Sequence, residues 1–186
     1  MSNLTDKQRE FHLQKMRTRF NRLDLNQDGF ISREDYELMA TKLQEYGKLD
    51  EEKAERTRNA ITSVADRMGL KPGVKIPAEE AAQKASKGFL SMTHDQQLAS
   101  IKTFYPIFEA LDLNNDGSIS LEEFKVYFRI IAPDLSDADV THTFNMIDSD
   151  RNGEISREEF MAAGFDFVYG VEETEISKVF FGPLMS

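Results

Sequence analysis

Asp112-Leu-Asn-Asn-Asp-Gly-Ser-Ile-Ser-Leu-Glu-Glu123 decides how the rest of the chain is read. Oxygen-bearing side chains stand at Asp112, Asn114, Asp116 and Ser120, and Glu123 closes the run. Gly117 takes the sharp bend and Ile119 is the one inward apolar position. A twelve-residue loop with oxygens at positions one, three, five, nine and twelve wraps them around a hard divalent cation. Position seven, here Ser118, adds its backbone carbonyl.

Two further runs repeat the pattern. Asp24-Leu-Asn-Gln-Asp-Gly-Phe-Ile-Ser-Arg-Glu-Asp35 offers Asp24, Asn26, Asp28, the Phe30 carbonyl, Ser32 through water, and Asp35. Asp148-Ser-Asp-Arg-Asn-Gly-Glu-Ile-Ser-Arg-Glu-Glu159 offers Asp148, Asp150, Asn152, the Glu154 carbonyl, Ser156 through water, and Glu159. These are EF-hand loops for calcium. The first closes on Asp35, whose shorter side chain reaches an ion less easily with both oxygens, so weaker calcium binding and more magnesium tolerance are expected there. In each loop the position-nine serine and the closing acid also spell a capping box, Ser32/Asp35, Ser120/Glu123 and Ser156/Glu159. One pair of side chains thus starts the exit helix and closes the ion site.

Where a second loop belongs stands Asp66-Arg-Met-Gly-Leu-Lys-Pro-Gly-Val-Lys-Ile-Pro-Ala-Glu-Glu80. It is too long, and Met, Leu, Lys, Pro and Val occupy the middle positions, so no ion is expected. Ile76 should still pair with Ile31, because EF-hands associate through a short two-stranded contact at position eight. The fold class is therefore all-α, a compact globule of four EF-hand units in two pairs. Residues 1–90 form the N-terminal pair; residues 91–186 form the C-terminal pair plus a C-terminal capping helix.

The 186 residues carry a formal charge of -10, with 14 Phe, 5 Tyr, no Trp and no Cys. A core of phenylalanine rings is expected, each contributing about 1.5–3 kcal/mol on burial. The acidic balance disfavours nucleic acid and anionic membranes and favours cations. Absence of cysteine favours the cytosol. The start, Met1-Ser-Asn-Leu-Thr-Asp6, lacks an apolar secretory core, and no apolar run nears the ~20 residues of a membrane span. Ser2 stands where N-myristoylation needs glycine. A soluble, cytoplasmic, monomeric protein is expected.

Apolar residues at helical spacing place Leu13, Met16, Phe20 and Leu23 on a first helix started by the Thr5…Gln8 capping box. Tyr36, Met39 and Leu43 mark a second, and residues 50–67 a third. After a seam near Gly88 and a Thr93…Gln96 capping box, one helix bending at Pro106 should carry Leu98, Ile101, Tyr105, Phe108 and Leu111. Two more carry Phe124, Tyr127, Phe128 and Ile131, then Val140, Phe144 and Ile147. Helical character resumes in the tail with Ile176, Val179 and Phe180, which either completes the core or closes a cavity. Aligned on their loops, the repeats show Phe20, Phe108 and Phe144 four residues before each loop, and Tyr36, Phe124 and Phe160 just after. Five residues before, Ile107 and Thr143 are matched by Arg19. Either Arg19 reaches the surface along its apolar stem, or it enters an interior cavity and hydrogen-bonds something there, since a buried guanidinium is costly unless paired.

Several phrases resemble one family: His12-Leu-Gln-Lys-Met-Arg-Thr-Arg19, Asp28-Gly-Phe-Ile-Ser-Arg-Glu-Asp-Tyr36, Glu52-Lys-Ala-Glu55, Gly69-Leu-Lys-Pro-Gly-Val74, Glu79-Glu-Ala-Ala82, Pro133-Asp-Leu135 and Glu172-Glu-Thr174. They are similar to the calcium-triggered luciferin-binding (coelenterazine-binding) proteins, within the sarcoplasmic calcium-binding protein and photoprotein group. The resemblance implies two EF-hand pairs enclosing one coelenterazine, released to a luciferase on calcium binding. Arg19 and Tyr36 fall in the matching phrases as polar contacts to that ligand, with Met16, Phe20, Phe108, Phe144 and Phe180 as apolar lining. A light-emitting enzyme is disfavoured: that variant uses Trp–His–Tyr groupings, there is no Trp, and His12, His94 and His142 are scattered. The competing expectation is a calcium or magnesium buffer with a filled core.

Overall fold

The computed structural model describes residues 4–186, so Ser2 lies outside the described residues. Helix α1 (Asp6–Leu23) starts on the Thr5/Gln8 capping box and leads into the first loop. Strand β1 (Phe30–Ser32) pairs antiparallel with β2 (Lys75–Pro77) of the degenerate loop, in the register Ile31↔Ile76. Between them run α2 (Arg33–Gly47) and α3 (Glu51–Arg67), and α4 (Ala78–Leu90) follows β2. In the second half, β3 (Ser118–Ser120) pairs with β4 (Glu154–Ser156) through Ile119↔Ile155. Helices α7 (Leu121–Ile131), α8 (Asp137–Ile147) and α9 (Arg157–Tyr169) surround that pair. All three expected capping boxes at the loop exits are formed.

Two expectations need correction. The single helix from Thr93 is two: α5 (His94–Ile101) and α6 (Tyr105–Leu111), separated by a 3-10 turn, Lys102–Phe104. Pro106 lacks an N–H and its ring would strike the carbonyl four residues earlier, so it is accommodated only in the first turn of a new helix. The break turns Leu98 and Tyr105, expected in the apolar stripe, out to solvent. The tail forms no capping helix, only a 3-10 turn, Ile176–Lys178. Thr174 and Ser177 hydrogen-bond each other's backbone amides, Gly182 adopts φ +81°, and Pro183 cannot donate. The tail docks as extended chain: the Met185 amide donates to Thr18 Oγ1 at 2.9 Å and Gln14 donates to the Met185 carbonyl at 3.2 Å.

One apolar cluster runs through both halves, from Met16 and Ile61 to Phe144 and Phe167. Helix α1 is also bound to α9 by buried polar groups. Lys15 donates to the carbonyls of Gly170 (2.7 Å) and Asp166 (3.3 Å), capping the C-terminal end of α9. His12 Nε2 bonds the Val168 carbonyl at 2.7 Å and Nδ1 faces the Ser86 hydroxyl at 2.9 Å. Burial, opposed by the Val168 bond and helped by nearby Lys15, lowers the His12 pKa to about 4. The unfolded chain therefore takes up a proton below about pH 6.5 that the folded chain refuses until about pH 4. Stability from this group is complete above pH 6.5 and is lost as pH falls toward 4, by about 3 kcal/mol. Thermal melts at pH 7 and pH 4.5 should show the drop, and His12→Gln should flatten it; an unchanged slope in that variant would assign the drop to other groups.

Candidate functional site

Each good loop is closed from within by its own acids. In the last loop, Glu159 Oε1 accepts from the amides of Ser149 (2.9 Å) and Asp150 (3.2 Å), while Oε2 accepts from the amide and hydroxyl of Ser156 (both 2.9 Å). Burial works against the charged form, but these donors outweigh it and hold the Glu159 carboxyl at about 2. Asp148 accepts from the amides of Asn152 and Gly153, and Gly153 bends at φ +90°. Asp148, Asp150 and Glu159 each bring one carboxylate oxygen within 4.8 Å of the others, and no other acid trio among the described residues meets so closely. The central loop repeats the plan: Glu123 accepts from the amides of Leu113, Asn114 and Ser120, and Asp112 from those of Asp116 and Gly117. The residues at position four, Gln27, Asn115 and Arg151, all adopt φ of 57–60°. This convergent, oxygen-only donor set fits a hard cation such as calcium.

The first loop departs from its siblings. Asp35 is 1 % exposed; one oxygen accepts from the Leu25 amide and the other from the Ser32 amide. Burial raises its pKa despite those bonds, the reverse of Glu159. Lys75, from the degenerate loop, places Nζ 2.7 Å from Asp28 Oδ2, the position-five oxygen, and this bond lowers the Asp28 pKa. Asp66, at the front of the degenerate loop, is taken by Arg33. A short closing acid and a resident ammonium would both weaken cation binding at this site. Asp35→Glu should raise calcium affinity there by roughly tenfold, since added reach restores a bidentate ligand; calorimetry showing no gain would rule out reach as the limit.

Between the halves lies a cavity of about 70 Å³. Val64 of α3, Ile107 of α6, Phe124 of α7, Phe160 of α9 and the tail rings Phe180 and Phe181 form its apolar wall. Arg19, Tyr36 and Tyr127 are its polar members. Arg19 is 5 % exposed and its Nη1 has no hydrogen-bond partner among the described residues. Its guanidinium lies over the rings of Phe104 (5.2 Å), Phe20 (5.3 Å) and Phe89 (6.0 Å). Burial lowers its pKa and only the neighbouring phenols of Tyr36, Tyr127 and Tyr169 counter that. Burial in turn pushes the Tyr36 phenol up to about 12 and raises Tyr127 as well. At neutral pH these phenols keep their protons, and that of Tyr36 donates to Met68 Sδ at 3.1 Å. An open cleft of about 440 Å³ shares Arg19, Val64 and Phe104 with the cavity, so these three side chains stand between the two spaces.

The model for an EF-hand domain pair matches residues 101–163, and an EF-hand model matches residues 16–40. The luciferin-binding protein of Renilla reniformis is 42% identical over 182 residues, covering 98% of this chain and 99% of its own. The chain belongs to the luciferin-binding family of EF-hand proteins. A crystal structure of the coelenterazine-binding protein from Renilla muelleri in the calcium-loaded apo form superposes with a TM-score of 0.91 at 42% identity, covering 97% of this chain and 100% of that one. A sarcoplasmic calcium-binding protein of Perinereis vancaurica tetradentata is 32% identical, covering 93% of this chain and 98% of its own.

For this luciferin-binding family member, the structure sorts the expected pocket residues into two groups. Arg19, Tyr36 and Phe180 face the cavity. Met16, Phe20, Phe108 and Phe144 do not line it. Phe20 faces the outer cleft, Met16 is fully buried in the core, and Phe108 and Phe144 stand behind Phe160 and Phe124, which occupy the cavity-facing position just after each loop. Phe144 packs edge-on against Phe124 at 5.6 Å and Phe108 against Phe160 at 5.8 Å. Sequence reading passed over Tyr127 and Phe160 as pocket members, and Val64 and Phe104 altogether. Among the described residues, no helix is long and apolar enough to cross a membrane.

Proposed function

We propose that the chain holds a coelenterazine-type luciferin around Arg19 and gives it up when its loops take calcium. One observation carries this reading: a buried guanidinium inside an aromatic box, with an Nη1 donor that meets no acceptor and no carboxylate to pair it among the described residues. Such a group costs several kcal/mol unless an acceptor arrives. An imidazopyrazinone offers a carbonyl oxygen for Arg19, phenolic groups for Tyr36 and Tyr127, and flat rings for the surrounding phenylalanines. A cavity of about 70 Å³ falls short of the roughly 300–1,000 Å³ of ordinary ligand pockets. Movement of the shared side chains Arg19, Val64 and Phe104 would merge it with the neighbouring cleft and supply the room.

The ions would be held by Asp24, Asn26, Asp28, Phe30, Ser32 and Asp35, with magnesium tolerated; by Asp112, Asn114, Asp116, Ser118, Ser120 and Glu123; and by Asp148, Asp150, Asn152, Glu154, Ser156 and Glu159. In this reading the protein is a monomeric cytoplasmic carrier of two EF-hand pairs, residues 1–90 and 91–186, that passes its cargo to a luciferase and performs no chemistry itself. The small cavity volume favours a second reading, a calcium or magnesium buffer with a filled core. Mixing calcium-free protein with coelenterazine separates them. A one-to-one absorbing complex that surrenders luciferin to a luciferase on adding calcium supports the carrier; absence of any complex leaves the buffer, and light without luciferase points to a photoprotein.

A further inference from the structure

Lys53 belongs to α3 in the first half, yet its ammonium is spent entirely on the second. Nζ lies 2.9 Å from the Glu109 carbonyl, 2.7 Å from the Asp112 carbonyl and 2.6 Å from Asn115 Oδ1. Those three acceptors use all the protons an ammonium has. Glu109 and Asp112 stand at the C-terminal end of α6, where carbonyls lack helical partners and the helix dipole favours a cation. Asn115 is held at φ 60° between the candidate ligands Asn114 and Asp116, without itself being one. Lys53 is 7 % exposed, so burial of its charge is offset only through these bonds and the nearby Asp112, Glu109 and Glu123 charges. Helix α3 packs on α6 across the seam, and both wall the cavity, through Val64 and Ile107.

We propose that Lys53 is a positioning residue that fastens α3 to the central loop, so that an ion at Asp112–Glu123 is felt by α3 and, through Val64, by the cavity. A helix that merely lay against α6 could slide when the loop tightens. Three directed bonds, one to Glu109 in the last turn of the entering helix and two to the loop residues Asp112 and Asn115, make α3 move with it. The effect on the cavity rests on the carrier reading; the coupling of the loop to α3 does not.

The test is hydrogen exchange of the full-length protein with calcium as the only added ligand, read on peptides from α3. In the parent, calcium should change α3 exchange by at least about fivefold, the lower end of ordinary coupling energies. In K53M the change should fall below about twofold, while α8 and α9, beside the last loop, respond as before. N115G, which removes one acceptor and keeps the left-handed backbone, should reduce the α3 response in the same sense, and it decides the matter if K53M fails to fold. A purely structural lysine would destabilise the chain equally with and without calcium and leave the response intact. An α3 response unchanged in both variants, or absent from the parent, overturns the proposal. Coelenterazine affinity measured in the same variants keeps the two readings apart. A Lys53-dependent response in a chain that binds no coelenterazine sinks the carrier alone. Coelenterazine binding with an α3 response independent of Lys53 sinks the coupling alone.

Discussion

Methionine in place of Arg19 is expected to stabilise the calcium-free protein and, in the same molecule, to weaken coelenterazine binding by on the order of 10²-fold. Arg19 is buried against Phe20, Phe104 and Phe89 with no acidic partner among the described residues. Replacing such a charge with an apolar side chain of similar reach is often favourable by about 1–2 kcal/mol, which is roughly 2–8 °C in melting temperature for a chain of this length. A hydrogen bond from a charged donor is worth about 1.5–3 kcal/mol, so its loss accounts for the fall in affinity. The opposite signs are the informative part. A core arginine serving only the fold would lose stability on substitution and show no ligand effect. Thermal melts and luciferin titrations on Arg19→Met read both quantities.

The second large effect is expected at the closing acids. Glu159→Gln should lower calcium affinity at the last loop by on the order of 10²-fold, and Glu123→Gln should do the same at the central one, because ligand charge sets affinity in these loops over several decades. The geometry adds a further loss. Both Glu159 oxygens accept hydrogen bonds, from the Ser149 and Asp150 amides on one side and from Ser156 on the other. A glutamine would turn an NH₂ group toward one of those donor sets. Calorimetry should then count one fewer tight calcium event in each variant, together with a loss of about 1 kcal/mol of calcium-free stability from the hydrogen bonds that the NH₂ group cannot accept. Unchanged stoichiometry and affinity would mean these carboxylates do not close the sites.

What the sequence disclosed was chemistry fixed by local spacing. The three acidic loops, the serine–acid capping boxes and the Ile31–Ile76 contact depend on residues a few positions apart or on repeat alignment, and the structure forms the boxes and the contact. Arg19 stood out because it interrupts a repeat, and that was enough to mark it as an inward-facing oddity. Helical periodicity could not separate Phe108 and Phe144 from Phe124 and Phe160. All four point inward, and only the angle between packed helices decides which rings reach the cavity and which stand behind. The buried cross-links were less legible still. Lys53 sits in Glu51-Glu-Lys-Ala-Glu-Arg56, which reads as a solvated face; its partners lie 56–62 residues away. His12 and Lys15 likewise meet α9 across more than 150 residues. Apolar spacing from Leu98 to Leu111 suggests one helix bent at Pro106, but a proline in a first turn starts a new helix, and that choice is not legible in the spacing.

A carrier of this kind requires reciprocal coupling between the oxygen-lined loops and the Arg19 cavity. Its most direct test is a pair of calcium isotherms on the full chain, one free and one saturated with coelenterazine. The factor by which luciferin weakens calcium must equal the factor by which calcium weakens luciferin. The prediction is a shift of the calcium isotherm to higher concentration by about 5–150-fold for each coupled site. Superimposable isotherms, in a protein that binds both ligands, would contradict it.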